Sequence, residues 1–204
     1  MRSAAYSGRA AQGCVNNFRM AMTARIALLR AVNVGGTNKI AMAELRTFAV
    51  ALGLADARTL LHSGNLVFTH AAAPKDLETL LEREAAMRLG LITNFFVRTA
   101  KEWAAIIAGN PFPEVALHDP ARLVVMPLKK APAAAAVKAL EAAIRGPERI
   151  CAIGDSLYAS YPEGTGNSKL TIRLIESKLD TRGTARNWNT TLKLAALAGG
   201  KNRQ

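Results

Sequence analysis

The residues best suited to chemistry precede a helix that the sequence predicts from about Ser168. The segment 164–169, GTGNSK, follows a strand predicted to end at Tyr161. Glycines let the chain turn tightly, and the free N–H groups at a helix start can bind an anion. The spacing fits neither a Walker A loop nor a dinucleotide fingerprint, in which a third glycine would replace Lys169. The segment therefore predicts either an anion site that includes Gly166, Ser168 and Lys169 or an ordinary helix cap.

A second polar cluster lies in the segment 184–190, TARNWNT. Thr184 can cap a helix whose inward face we expect to carry Trp188, Leu192 and Ala195. A different face, open to solvent or to a ligand, would carry Arg186, Thr190 and Lys193. Asn187 and Asn189 are poor helix formers, so we expect them to hydrogen-bond either within the domain interface or to a ligand.

Further polar residues follow the first predicted strand, occupy a later turn or lie on the helix predicted from Ser168. Some accompany glycines, whose positive φ angles would explain those loops equally well. From these segments we take the following as candidate ligand-binding residues: Arg30, Asn33, Gly35, Lys39, Ser63, Asn65 and Arg173.

Catalytic machinery is not evident in the sequence. No Ser-His-Asp or Cys-His set is suggested, and the three histidines form no ligand pair such as H-x-x-x-H. We therefore predict no metal and no cofactor. Asp155 and Glu163 flank the basic loop, but an acid among cations is commonly a surface ion pair, so no general acid or base can be nominated. Cys14 and Cys151 are expected to be free thiols in a reducing cytoplasm.

The net charge of +12 is concentrated in one half of the chain. Residues 121–204 contain fourteen Lys and Arg against six Asp and Glu. Such an excess favours a polyanion or a phosphorylated ligand, although it equally suits a soluble surface. No apolar run approaches the ~20 residues of a transmembrane helix, so we expect a cytoplasmic protein without a membrane partner.

The order of predicted elements indicates an α+β fold of two tandem ferredoxin-like plaits. Residues 1–23 are predicted to be a disordered extension, and 24–98 read as β-α-β-β-α-β, the split βαβ arrangement. Residues 99–120 form a connecting helix and a linker. In 121–204 the same order recurs, but the fourth strand is not evident and a helix from Thr184 takes its place. The second plait is therefore predicted to be incomplete, with a C-terminal helix.

Six short motifs resemble one known family. They are LRAVNVGG from Leu29, NKI with MAELR, SGN from Ser63, GNPF from Gly109, SKLT from Ser168 and TARNWNT from Thr184. In this order they resemble the DUF1697 family of bacterial proteins, over about Ala24 to Ala198. The resemblance implies two ferredoxin-like parts and no established activity. Two features depart from the family: His62 stands where glutamine is expected, and residues 1–22 are unlike it.

Two functional hypotheses follow. The first is a binding module for an anionic ligand, a nucleic acid or a nucleotide, in the basic C-terminal half. The strands lack the aromatic-rich string of an RRM, so nucleic-acid contacts would be largely electrostatic. The alternative is an enzyme for a phosphorylated small molecule, which predicts an enclosed cleft joining the 30–39 loop to the 163–169 loop. The oligomeric state is not predicted.

Overall fold

The computed structural model describes residues 21–34 and 38–200 of the 204-residue chain. The predicted N-terminal extension lies almost entirely outside these ranges, and its disorder stays a prediction. Within the described ranges, no helix combines the length and the apolarity that crossing a bilayer requires.

The first half of the chain forms the predicted ferredoxin-like plait. Its four strands are antiparallel and lie in the order β2-β3-β1-β4, with two helices on one face. The elements are β1 (Thr23–Leu29), α1 (Met42–Ala51), β2 (Ala55–Thr59), β3 (Asn65–His70), α2 (Pro74–Leu89) and β4 (Phe95–Thr99). The apolar run that predicts β4 starts at Leu91, but the strand begins four residues later, at Phe95.

Two helices connect the plaits: α3 (Ala100–Ala108) and α4 (Pro113–His118). Helix α3 was predicted, and Thr99 and Glu102 form a capping box at its start. Helix α4 was not predicted, because the residues after the connecting helix were predicted to be a linker. Pro113 instead occupies the first turn of α4, where a missing N–H costs nothing.

The second half repeats the arrangement, with the strand order β6-β7-β5-β8. The elements are β5 (Leu123–Pro127), α5 (Ala134–Glu141), β6 (Arg149–Ile153), β7 (Ser156–Ser160), α6 (Ile172–Leu179), β8 (Arg186–Asn187) and α7 (Trp188–Ala198). The fourth strand, expected to be missing, is thus present. It escaped detection because it is two residues long and has no apolar alternation; it pairs with Val124 and Val125 of β5.

The core is layered, with α3 and α7 enclosed between the two sheets. The inner cluster combines side chains of both sheets with those of the two helices, among them Trp103, Tyr158 and Trp188. Helices α1 and α2 cover the outer face of the first sheet, and α5 and α6 cover the outer face of the second. The inner cluster contains side chains of both plaits. The inner face of each sheet is therefore buried only when the other plait is present.

The two C-terminal helices begin later than the sequence predicts. Helix α6 begins at Ile172, and its cap is Thr171, whose hydroxyl accepts a hydrogen bond from the Leu174 N–H at 3.2 Å. Ser168 and Asn167 therefore do not cap it. Helix α7 begins at Trp188 and is capped by Asn187, not by Thr184.

The buried face of α7 also differs from the prediction. Trp188 packs inward as expected, but Leu192 is 42% exposed. The buried residues of the helix are Trp188, Thr190, Thr191, Leu194 and Leu197. Thr190, expected to face solvent or a ligand with Lys193, is only 8% exposed.

Candidate anion-binding site

Arg186 is the centre of the junction between the two plaits. It lies on β8, the edge strand of the second sheet, and only 8% of the residue is exposed, so its guanidinium is buried in the protein. All three guanidinium nitrogens donate hydrogen bonds, and every acceptor is an uncharged oxygen. The acceptors are the carbonyl oxygens of Leu29, Ser63, Gly64 and Ala185, the Oγ1 of Thr184 and the Oδ1 of Asn65.

The charge of Arg186 has no carboxylate partner among the described residues. Burial lowers the pKa of Arg186 to about 10, so the guanidinium remains protonated at neutral pH. A buried cation surrounded only by dipoles leaves a local excess of positive charge. The junction is therefore electropositive in its interior.

The turn 63–65 supplies three of these acceptors and is fixed by its own residues. Asn65 is fully buried, and its Nδ2 donates to the Leu60 carbonyl at 2.8 Å and to the Ser63 hydroxyl at 3.0 Å. Gly64 has a φ of +69°, and a Cβ there would overlap the Val32 side chain. The predicted Ser-Gly-Asn turn is thus one that requires glycine, and it presents Asn65 Oδ1 to the arginine.

Beside Arg186 lies a cavity of about 680 Å³, which we name the junction cavity. It is bounded by the Ser63 turn, the end of β7, the loop before α6 and the starts of α6 and α7. Its apolar wall is formed by Val124, Tyr161, Leu170 and Ala185, and its polar lining by Ser63, Thr165, Thr171, Arg173, Arg186, Asn187 and Thr190. The volume falls within the roughly 300–1,000 Å³ of small-ligand sites.

The start of α6 opens onto the junction cavity. Thr171, Ile172 and Arg173 all line it, and no acidic residue occupies the first turn of the helix. Helix N–H groups at such a start carry a partial positive charge. Arg173 is exposed and belongs to none of the ion pairs found in the described part of the chain.

Arg30 and the basic residue Arg182 share one buried carboxylate, that of Glu176. Arg30 binds Glu176 through two hydrogen bonds of 2.8 Å, and Arg182 and the Gly183 N–H bind the same carboxylate at 3.0 Å. Burial raises the pKa of Glu176, but these hydrogen bonds outweigh burial, so the pKa is lower than usual. Arg30 therefore joins the plaits and does not line the junction cavity.

The loop after β1 lies outside the junction cavity as well. The Asn33 side chain donates to the Ile40 carbonyl at 3.0 Å and to the His62 carbonyl at 2.7 Å, which holds the loop closed. Lys39 is exposed beside Asn33 at a separate hollow. Gly35 lies outside the described residues.

The glycine-rich loop before α6 forms its own small hollow of about 170 Å³. Ser168 Oγ donates to the Glu148 carboxylate and accepts from the Leu170 N–H at 3.0 Å. Lys169 lines the same hollow together with Arg145, Glu148 and Glu163. Carboxylates therefore accompany the cations here, and Gly166 is exposed with open space around it.

Of the fourteen candidate residues, the structure brings four to the junction cavity: Ser63, Arg173, Arg186 and Asn187. Asn65 contacts Arg186 from behind. Asn189 and Lys193 are exposed on α7 and do not line the junction cavity. The predicted cleft joining the 30–39 and 163–169 loops is not formed by this cavity, which includes Thr165 but no residue of the 30–39 loop.

A second hollow, of about 600 Å³, lies along α6 and also contains Arg173. It is rich in cations, but most of them are paired. Lys129 binds Glu78 and Glu82 at 2.7 Å, and Lys130 binds Asp180 at 2.9 Å. The junction cavity has no carboxylate in its lining and is therefore the better anion site.

The lining of the junction cavity contains no carboxyl, imidazole or thiol group from the described residues. Tyr161 has the only phenol there, and burial, assisted by Glu148, raises its pKa to about 12. Its hydroxyl donates to the Leu170 carbonyl at 3.1 Å. The cavity combines a nearby positive charge with a partly apolar wall, but its lining offers no group that exchanges a proton near neutral pH.

Sequence reasoning did not identify Thr171 and Tyr161 as lining residues of the junction cavity. It placed Thr190 on a helix face that would contact either solvent or a ligand. Thr171 carried a usable signal, since a threonine before the apolar repeat Ile172, Ile175 and Leu179 is a typical N-cap. Tyr161 carried none, because its place in the lining depends on the approach of α6 to the end of β7.

Comparisons with known proteins agree with this fold. The profile of the family described as "Protein of unknown function (DUF1697)" matches residues 22–158. No curated protein matches the chain. A solved structure described as that of the conserved bacterial protein SP0830 from Streptococcus pneumoniae shares 25% identity with it, at a TM-score of 0.70 over 87% of this chain and 99% of that one. The family match ends at Tyr158, before the SKLT and TARNWNT motifs, whereas the resemblance was predicted to reach Ala198.

Proposed function

This chain belongs to the DUF1697 family, and we propose that it is a cytoplasmic binding module for a phosphate-bearing anion of nucleotide size, held in the junction cavity. One observation carries the proposal. The cavity lies against a buried guanidinium that no carboxylate neutralises, and nothing acidic lines it. Two opposite unit charges about 6 Å apart attract by about 3 kcal/mol at an effective dielectric constant of 20.

An anion in the cavity would also be held by groups that are free to donate. The guanidinium of Arg186 is fully used by protein oxygens, so its contribution is its charge. The donors to the ligand are the exposed guanidinium of Arg173 and the N–H groups at the start of α6. A fixed interior charge with free donors at the rim is an arrangement that favours anions.

The distribution of cations favours a small anion over a nucleic-acid strand. A strand is bound by a track of cations along its phosphates. Here Arg30 is paired with Glu176, Lys169 shares a hollow with Glu148 and Glu163, and Lys193 lies on α7 outside the junction cavity. The junction cavity differs from these places in having a buried cation beside it and no carboxylate in its lining. The enzyme hypothesis has no support of this kind, since the lining provides no acid or base.

A matched pair of substitutions on α6 tests the proposal. Arg173→Gln and Lys178→Gln each remove one exposed cation from the same helix, but only Arg173 lines the junction cavity. Titration calorimetry with inorganic phosphate and a panel of nucleotides should show binding that Arg173→Gln weakens about tenfold, the loss of one charge-assisted hydrogen bond of roughly 1.5 kcal/mol. Lys178→Gln should bind like the unaltered protein.

The same titrations include a short single-stranded oligonucleotide. If only the oligonucleotide binds, and its affinity falls steeply with salt, the ligand is a nucleic acid and the small-anion proposal is wrong. Equal losses of affinity in the two variants would show that the general field of the protein binds the anion, and the junction cavity would lose its role.

A further inference from the structure

Thr190 presents a hydroxyl that the protein does not use. The residue is 8% exposed, lines the junction cavity, and its Oγ1 makes no hydrogen bond to any described residue. The adjacent Thr191 is fully buried, and its hydroxyl donates to the Asn187 carbonyl at 3.1 Å. The hydroxyl of Thr190 is therefore left to water or to a ligand, whereas that of Thr191 is used by the protein.

That hydroxyl is open to the junction cavity. Among the described residues, the side-chain atoms that are both sealed from solvent and unpaired are Arg58 Nε, Arg98 Nε and Ser156 Oγ. Thr190 Oγ1 is not one of these, although it too is unpaired. It is therefore in contact with accessible space, and the residue that carries it lines the junction cavity.

Asn187 provides a second unused group at the same place. Its Oδ1 caps α7 by accepting a hydrogen bond from the Thr190 N–H at 2.9 Å. Its Nδ2 makes no hydrogen bond to the described residues, and the residue lines the junction cavity. The start of α7 thus offers a ligand one amide donor and one hydroxyl that can donate or accept.

The apolar wall limits what these groups can recognise. Val124, Tyr161 and Leu170 are each less than a tenth exposed and form a rigid surface beside the polar edge. Inorganic phosphate would leave this wall uncovered. A sugar phosphate offers hydroxyl groups but no flat apolar face, whereas a nucleobase combines an apolar face with an edge of donors and acceptors.

We propose that the ligand of the junction cavity is a nucleoside monophosphate. Its base lies against the Tyr161 wall, with its edge hydrogen-bonded to Thr190 and Asn187, and its phosphate lies at the start of α6 near Arg173. This inference rests on the proposed anion-binding function and adds the class of ligand. Thr190 acts as a specificity residue whose hydroxyl is kept unpaired for the base.

Thr190→Val tests this inference, because it removes the hydroxyl and preserves the shape. The melting temperature of the free protein should be unchanged or higher, since no protein partner is lost. Thr191→Val should lower the melting temperature, because its hydroxyl has a partner. By calorimetry, Thr190→Val should weaken the best of the four nucleoside monophosphates about tenfold and leave inorganic phosphate unaffected. Thr79→Val, on α2, is the control for affinity.

The outcomes separate this inference from the proposed function. If ribose 5-phosphate binds as tightly as the best nucleotide, or Thr190→Val leaves nucleotide affinity unchanged, the site binds anions but the nucleotide inference is overturned. A lower melting temperature of Thr190→Val without ligand would show a structural hydroxyl and would overturn it as well. If neither phosphate nor any nucleotide binds, the proposed function and this inference both fail.

Discussion

Replacing Arg186 with Met is the most informative change to the junction between the plaits. The substitution keeps an unbranched side chain but removes every hydrogen bond that the guanidinium donates. At least two of its acceptors, Asn65 Oδ1 and the Ser63 carbonyl, have no other donor among the described residues. An unpaired buried polar group costs about 1–3 kcal/mol, so the free energy of unfolding should fall by about 3 kcal/mol. For a chain of this length, the melting temperature should fall by about 6–12 °C.

The assay is thermal unfolding followed by tryptophan fluorescence. Trp103 and Trp188 both lie in the inner cluster between the sheets, and Trp188 is two residues from the substitution. Arg173→Met is the control, because it removes an exposed arginine and should change stability by less than about 0.5 kcal/mol. A melting temperature of Arg186→Met within 2 °C of that of the unaltered protein corresponds to a change of roughly 1 kcal/mol or less in the free energy of unfolding. The energy gained by no longer burying a charge would then offset the energy lost with the hydrogen bonds. The structural role given to Arg186 would then be refuted.

Two further predictions concern stability. Burial raises the pKa of Glu176, but its hydrogen bonds lower it more, so its stabilisation is present at neutral pH and is lost as the pH falls below the ordinary value of 4.5. Glu176→Gln should lower the melting temperature at pH 7 and flatten its decline in acid, whereas the exposed Glu141→Gln should do neither; an unchanged acid profile in Glu176→Gln would contradict the assignment. Gly64→Ala should cost more than about 2 kcal/mol in urea unfolding, because its φ is positive and its Cβ would overlap Val32, whereas Gly166→Ala, with open space around it, should be neutral or slightly stabilising.

Sequence patterns predicted the fold well where an element carries its own signal. The β-α-β-β-α-β order of residues 24–98 and the connecting helix that follows it were both predicted and are present. The elements that were missed or misplaced depend on partners distant in the chain. Strand β8 is a strand only because β5 lies beside it. Helix α6 begins at Ile172, after Leu170, whose carbonyl accepts a hydrogen bond from the Tyr161 hydroxyl.

The candidate site was predicted less well, for a related reason. The sequence shows which residues are cationic, but whether a cation is neutralised depends on the fold. Arg30 and Glu176 are 146 positions apart and form a close ion pair. Arg186 and Asn65 are 121 positions apart, and their contact replaces the carboxylate that a buried arginine usually has. Counting charges therefore locates the basic half of the chain but cannot separate a cation that has a carboxylate partner from one that has none.

The uncompensated charge connects the stability of the junction with its proposed function. Neutral oxygens hold the guanidinium of Arg186 in place, but they offset less of its desolvation cost than a carboxylate would. An anion bound in the junction cavity would supply the missing charge without entering the hydrogen-bond network. The energetic cost of burying Arg186 in the free protein then becomes part of the affinity for the ligand, because binding relieves it. A carboxylate at this position would have made the junction more stable and the cavity electrically neutral.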